Sequence, residues 1–165
     1  MVKADAYGHG IHPTAARLMQ SGVDLFAVAN VKEASEIREI ATGWPILILG
    51  PLLEEENEAL LEMDLIPTLS SHTELERLRA LSHKYQKVIP AHLKIDTGMG
   101  RYGIWWEDAI ELINQIQQSP EIKLCGALTH FAEASDLEYT ANQRGHFLTI
   151  LQKTQIHRQA DFWVH

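Results

Sequence analysis

The sequence has few of the features that mark secreted, membrane-bound or nucleic-acid-binding proteins. It contains one cysteine in 165 residues, so no disulfide can form within the chain. No apolar run approaches the roughly 18 residues of a membrane span, and no basic segment leads into an apolar one as in a signal peptide. Fourteen basic against 22 acidic residues give a net charge of -8. We therefore expect a cytoplasmic protein that has neither nucleic acid nor a membrane as its partner.

The chain also lacks internal repeats, low-complexity tracts and a glycine-rich dinucleotide fingerprint after any strand. Its composition, 45% hydrophobic and 22% charged, is ordinary for a globular domain. Short apolar runs alternate with helical patterns, and seven strands are predicted: 2–3, 25–29, 45–50, 65–69, 91–96, 124–130 and 162–165. Pro67 weakens the fourth strand, and Gly145 is expected to interrupt the last helix.

Strands joined by helices predict parallel pairing with right-handed crossovers. This order is compatible with a (β/α)₈ barrel or with an open, doubly wound sheet. The missing dinucleotide fingerprint removes one reason to prefer the open sheet.

The first candidate site is the segment Lys-Ala-Asp-Ala-Tyr-Gly-His-Gly at residues 3–10. A lysine amine that has lost its proton condenses with a carbonyl to form a Schiff base, and burial lowers its pKa. We expect Lys3 at the end of a strand, followed by a tight turn that the glycines permit. Tyr7 could return its hydroxyl to the same site. The alternative is a surface lysine beside a mobile terminus.

Other polar residues lie at or just beyond the ends of predicted strands. Ligands of βα barrels bind at the carboxyl ends of the strands, so this placement indicates a site. The period of two puts Lys94 and Asp96 on one face of their strand. The remaining candidates at such positions are Arg101, His130 and His165. An ordinary ion-pair network of Lys94, Asp96 and Arg101 is the alternative.

Three motifs together resemble those of one enzyme family. Residues 3–10 resemble the pyridoxal 5'-phosphate attachment motif of alanine racemases. Residues 94–101, Lys-Ile-Asp-Thr-Gly-Met-Gly-Arg, resemble the second signature of that family, and Thr-His-Phe-Ala at 129–132 fits a third. The resemblance implies that residues 1–165 form a single domain, an incomplete (β/α)₈ TIM-type barrel of the α/β class. It would have about seven strands and lack the last strand and the C-terminal β domain.

The resemblance also implies roles for individual residues. Lys3 would bind pyridoxal phosphate as a Schiff base and act as acid or base at the substrate α-carbon. Tyr7 resembles a tyrosine near the cofactor phosphate. Arg101 resembles the arginine that binds the phenolic oxygen of the cofactor and lies near the substrate carboxylate. Lys94 resembles a lysine that is carbamylated in many members and positions that arginine. His130 and His165 resemble histidines that line the cofactor ring.

The implied activity is the interconversion of L-alanine and D-alanine, which supplies D-alanine for peptidoglycan. Members of the family form homodimers, in which a tyrosine from the partner's C-terminal domain is the second base. That domain would lie beyond His165, so we expect the chain alone to be a poor or inactive racemase.

Two other functions stay open. The first is a barrel module that binds pyridoxal phosphate at Lys3 without efficient turnover. The second is a metal-dependent hydrolase, suggested by nine histidines, by the spacing of His9 and His12, and by Asp96 at a strand end. No His-x-His pair ends a strand, however, so no metal site is predicted.

Overall fold

A computed structural model describes residues 1–165 as two compact units, Met1–Thr68 and Leu69–His165. In both units strands are joined mostly by helices, as predicted from the sequence. The peptide bonds are all trans.

The first unit is built around a three-stranded parallel sheet in the order β1-β2-β3. Phe26 pairs with Ile46, and Ile46 pairs in turn with Leu65. The elements in chain order are α1 (Lys3–Gly8), α2 (Ile11–Gln20), β1 (Phe26–Val28), α3 (Val31–Ile40), β2 (Ile46–Ile48), a 3-10 turn (Glu54–Glu56), α4 (Asn57–Glu62) and β3 (Leu65–Ile66).

The apolar pattern explains which faces of this unit are buried. All three residues of β2 are buried, as expected for a parallel strand that is covered on both faces. Helix α3 buries Val31, Ala34 and Ile37, which recur on one helical face. Its first turn is capped by Asn30, whose side chain accepts the Glu33 N–H at 3.0 Å.

The second unit has five strands. Four follow the order β4-β5-β7-β8, and β6 pairs with β5. The pairs β5–β6, β5–β7 and β7–β8 are parallel. The elements are β4 (Thr68–Leu69), which starts on the last residue of the first unit, α5 (His72–Tyr85), β5 (Ile89–Asp96), β6 (Ile104–Trp105), α6 (Ala109–Gln117), β7 (Ile122–Leu128), α7 (Leu137–Thr154), a 3-10 turn (Ile156–Arg158) and β8 (Trp163–Val164).

Several sequence predictions need correction. Residues 2–3 are not a strand, because Lys3 already begins α1, although the Val2 N–H donates to the Ala27 carbonyl at 2.9 Å. Pro67, which has no N–H to donate, divides the predicted strand 65–69 into β3 and β4. Gly145 does not interrupt α7, which runs without a break through it. The two-residue strand β6 had no counterpart among the predictions.

Candidate functional site

Lys3 lies at the start of a left-handed helical turn. The four residues after it, Ala4 to Tyr7, have φ values between 52° and 56° and ψ values between 37° and 53°. None of them is glycine, and the left-handed conformation costs an L-residue about 1–2 kcal/mol. Such strain persists only where surrounding contacts enforce it, and it is common at functional sites. The turn that carries Lys3 is therefore held from outside.

Two carboxylates provide much of that support. Glu33 accepts the Ala4 N–H at 2.7 Å through one oxygen and the Ala29 N–H at 2.8 Å through the other. Asp5 lies within the turn and accepts the Ile11 N–H at 2.7 Å, which connects the turn to the start of α2. Hydrogen bonds to charged acceptors are stronger than neutral ones, so these contacts offset part of the backbone strain.

The side chains of Lys3 and Tyr7 differ in their surroundings. Lys3 is half-buried, and its amine makes no hydrogen bond or ion pair within the chain. Tyr7 is 59% exposed, and its hydroxyl donates to Met1 Sδ at 3.1 Å. The predicted role of Tyr7 near a cofactor phosphate stays a prediction.

In the second unit, the carboxyl end of β5 carries Lys94 and Asp96, both almost fully buried. Asp96 accepts the backbone N–H groups of Gly98, Gly100 and Arg101 at 2.9 to 3.1 Å. Burial raises the pKa of this carboxyl, but the hydrogen bonds from the turn outweigh it and leave the pKa below its usual value. The backbone of the turn 97–101 is thus organised around a carboxylate.

Arg101 follows this turn. Its backbone is fixed by Asp96, whereas its exposed guanidinium makes no hydrogen bond or ion pair within the chain. Gly103 approaches the same strand end closely. A Cβ on Gly103 would lie 2.7 Å from the Asp96 nitrogen and 3.2 Å from Lys94 Cγ, and the glycine has a φ of 141°. Only glycine fits here, and this close approach lets β6 pair with the end of β5.

His130 lies two residues beyond β7, in a loop that α7 fixes. The buried amide of Gln143 donates to the His130 carbonyl at 3.1 Å and to Thr97 Oγ1 at 3.3 Å, and it accepts the Ala132 N–H at 2.9 Å. The hydroxyls of Thr97 and Thr129 are 2.8 Å apart. Gln143 therefore connects the loop after β5 to the loop after β7.

His165 directly follows β8, and its ring stacks with two others. The His92 ring centroid is 5.5 Å away and the Trp163 centroid 5.9 Å. His165 is exposed as a whole residue, but its ring is partly desolvated, and this desolvation lowers the pKa of the imidazole. His92 is fully buried, and neither of its ring nitrogens has a hydrogen-bond partner. Burial, and secondly the charge on His165, lower the pKa of His92 to about 4.

Sequence reasoning did not single out His92. Its position two residues before Lys94, on the same face of β5, was the available signal. Opposite it in the sheet is Gly126, and a Cβ there would lie 2.7 Å from the imidazole. The absence of a side chain at Gly126 thus creates the space for His92.

Comparison with known proteins identifies the family of the chain. The family model for the N-terminal domain of alanine racemase matches residues 1–165. The chain belongs to this family. The alanine racemase of Halothermothrix orenii is 40% identical over 153 residues, which are 92% of this chain and 40% of that protein. That of Synechocystis is 40% identical over 137 residues, 82% of this chain and 37% of that protein.

Solved alanine racemase structures match the backbone closely. The enzyme of Clostridium difficile 630 in complex with cycloserine has a TM-score of 0.91 at 30% identity, covering 99% of this chain and 46% of its own. The Bartonella henselae enzyme with covalently bound pyridoxal phosphate has a TM-score of 0.83 at 25% identity, with 99% and 53% covered. The predicted fold class, a TIM-type barrel of which this chain is part, is confirmed. The chain spans about half the length of these relatives, or less.

The residues of each unit are chemically suited to pyridoxal phosphate. Covalent attachment needs an amine that is not already ion-paired within the chain. Lys3 provides such an amine, on a turn held by Glu33. The anionic oxygens of the cofactor need cationic or N–H donors, and the unpaired guanidinium of Arg101 is one such group. The strained turn after Lys3 supports the same assignment, because such strain is typical of ligand sites.

No three histidine, cysteine, aspartate or glutamate side chains are grouped so that they could hold a metal ion. His9 contacts the Ala6 carbonyl at 2.9 Å, and His12 contacts Glu39 at 3.4 Å.

None of the helices is both long and apolar enough to span a membrane.

Proposed function

We propose that this chain is the lysine-bearing part of a pyridoxal-phosphate-dependent alanine racemase. Lys3 holds the cofactor covalently and moves a proton at the α-carbon of alanine. The observation that carries the proposal is the family match over residues 1–165, together with a lysine at the start of an enforced left-handed turn. Pyridoxal phosphate, when bound, is an electron sink that makes the α-hydrogen of an attached amino acid acidic.

The other site residues bind and orient. Arg101 pairs with an anionic oxygen of the cofactor and lies near the substrate carboxylate, and its main chain is fixed by Asp96. Lys94, if carbamylated, becomes an anion that pairs with Arg101. His130 and His165 line the cofactor ring, and Tyr7 approaches the phosphate. The whole protein acts as a homodimer, as the resemblance implies.

The test of the covalent role uses the chain incubated with pyridoxal phosphate and then reduced with borohydride. Peptide mapping by mass spectrometry should find the pyridoxyl group on Lys3, and Lys3→Ala should lose that label while it keeps the fold. A parent chain without label at Lys3, or label only on surface lysines such as Lys153, would contradict the proposal.

A second candidate is cofactor binding without efficient turnover. It would apply to residues 1–165 assayed by themselves, which match 40% of the Halothermothrix relative. Inversion of a stereocentre works best with a base on each face of the α-carbon, and the resemblance places the second base beyond His165. Loss of the α-proton of L-alanine and D-alanine in D₂O, followed by NMR, separates the two. Equal and rapid exchange from both isomers would favour the racemase, and slow or one-sided exchange would favour the binding module.

A further inference from the structure

Both peptide groups that flank the Cα of Lys3 are hydrogen-bonded. The Val2 carbonyl accepts the Ala6 N–H at 2.9 Å, which fixes the peptide plane before Lys3. The Ala4 N–H donates to Glu33 at 2.7 Å, which fixes the plane after it. With both planes held, φ and ψ of Lys3 are set, and so is the direction in which its side chain leaves the backbone.

The two anchors differ in origin. The first is made within the strained turn and is lost if the turn relaxes. The second has its acceptor outside the turn, on Glu33, 30 positions after Lys3 in the chain. Glu33 also accepts the Ala29 N–H at 2.8 Å, at the residue that follows β1. One carboxylate thus joins the main chain after Lys3 to the end of the neighbouring strand.

Glu33 is itself well placed for this task. It lies in the first turn of α3, where the helix dipole favours a negative charge. The Asn30 side chain caps its backbone N–H at 3.0 Å, and Ala34, the next residue, is fully buried. The carboxylate therefore projects from a fixed piece of helix.

We propose that Glu33 is a positioning residue that sets the main-chain conformation of Lys3, and thereby the place from which its amine reacts with pyridoxal phosphate. This rests on the proposed function, because the amine matters only if it holds the cofactor. Glu33 acts through the peptide group and does not touch the cofactor.

The experiment compares Glu33→Gln with the parent chain and with Glu36→Gln as the matched control. Glu36 is on the same helix, and its side chain makes no hydrogen bond with the turn. In Glu33→Gln the negative charge is removed from both hydrogen bonds, and one acceptor oxygen becomes an NH₂ donor that cannot accept a backbone N–H. Two quantities are measured: the rate of borohydride-trapped pyridoxyl labelling of Lys3 relative to the exposed Lys153, and amide hydrogen exchange at Ala4 without cofactor.

We expect the Lys3 to Lys153 labelling ratio to fall about tenfold in Glu33→Gln and exchange at Ala4 to accelerate by a similar factor. Glu36→Gln should match the parent in both. Circular dichroism checks folding, and if Glu33→Gln does not fold, Glu33→Asp, which keeps the charge but is one methylene too short, carries the same test.

The outcomes separate the two proposals. A parent chain that shows no label at Lys3 overturns the proposed function, and the inference about Glu33 with it. A parent that is labelled at Lys3, with a folded Glu33 variant that has the same ratio, overturns the inference about Glu33 alone. A fall in the ratio together with faster Ala4 exchange supports it, whereas a fall without faster exchange contradicts the route through the main chain.

Discussion

The imidazoles of His92 and His165 stack with their centroids 5.5 Å apart and their planes inclined by 26°. His165 ends the described chain next to β8, whereas His92 lies inside the second unit, with no hydrogen-bond partner for either ring nitrogen. A buried imidazole without partners is held neutral, because nothing there stabilises its charge. This has a measurable consequence for the pH dependence of folding.

We expect the chain to lose stability as the pH falls from about 6.5 to about 4. The pKa of His92 is lowered from 6.5 to about 4 in the folded chain, so between these values the unfolded state binds more protons. Stability from this group is fully present above pH 6.5 and is lost toward pH 4, by about 3 kcal/mol in total. Urea unfolding at a series of pH values measures the slope.

Two variants test whether His92 is the group responsible for this pH dependence. His92→Leu should have a flatter profile than the parent between pH 6.5 and 4. His12→Gln is the control, because His12 pairs with Glu39 at the surface, where such pairs contribute little. If the profile of His92→Leu follows that of the parent, the buried imidazole is not the group that titrates.

The stacking of His92 also depends on Gly126. Gly126→Ala would place a methyl group 2.7 Å from two atoms of the imidazole, and a fully buried ring cannot move aside. We expect a loss of about 1–3 kcal/mol in the free energy of unfolding, as for other overpacked cores. Thermal or urea denaturation of the purified variant measures it.

A double-mutant cycle identifies the cause. In a His92→Ala background the methyl group of Gly126→Ala meets no imidazole, so its cost should fall well below the value in the parent. Gly145→Ala is the control, because nothing lies within 4 Å of its Cβ in the middle of α7, and alanine there should stabilise by about 0.5–1 kcal/mol. Additive costs in the double variant would show that the clash lies elsewhere.

Much of the fold could be predicted because most residues of the longer strands are buried. The run Ile46–Ile48 is predicted as a strand because its apolar residues are uninterrupted. In β5 the signal is different, because apolar and polar residues alternate from Ala91 to Asp96. The predicted strands then show which polar residues lie at strand ends: Asp96 ends β5, and His165 follows β8. These inferences need only local pattern and the rule that ligands bind at the carboxyl ends of strands.

What could not be predicted depends on contacts between distant residues. Ala4 to Tyr7 have no local reason to be left-handed, apart from the tolerance of Asp5 for that conformation. The turn depends on Glu33, 29 residues after Ala4, and on the Asp5–Ile11 contact. Likewise β6 exists because Gly103 can approach β5, and the role of His92 appears only with Gly126 in register beside it.

The last prediction concerns Gln143, which satisfies three polar groups in two loops. Gln143→Leu keeps the size of the side chain but leaves the Ala132 N–H, the His130 carbonyl and the Thr97 hydroxyl without this partner. The Thr97 hydroxyl is buried but keeps Thr129 as a partner, whereas His130 and Ala132 are exposed residues whose backbone groups water can reach. We therefore expect a loss of about 1–3 kcal/mol in urea unfolding, together with faster amide exchange at Ala132. Gln152→Leu, an exposed position on the same helix, should change neither quantity. If both variants unfold at the parent's urea concentration, the loops after β5 and β7 are held by other contacts, and Gln143 does not fix the position of His130.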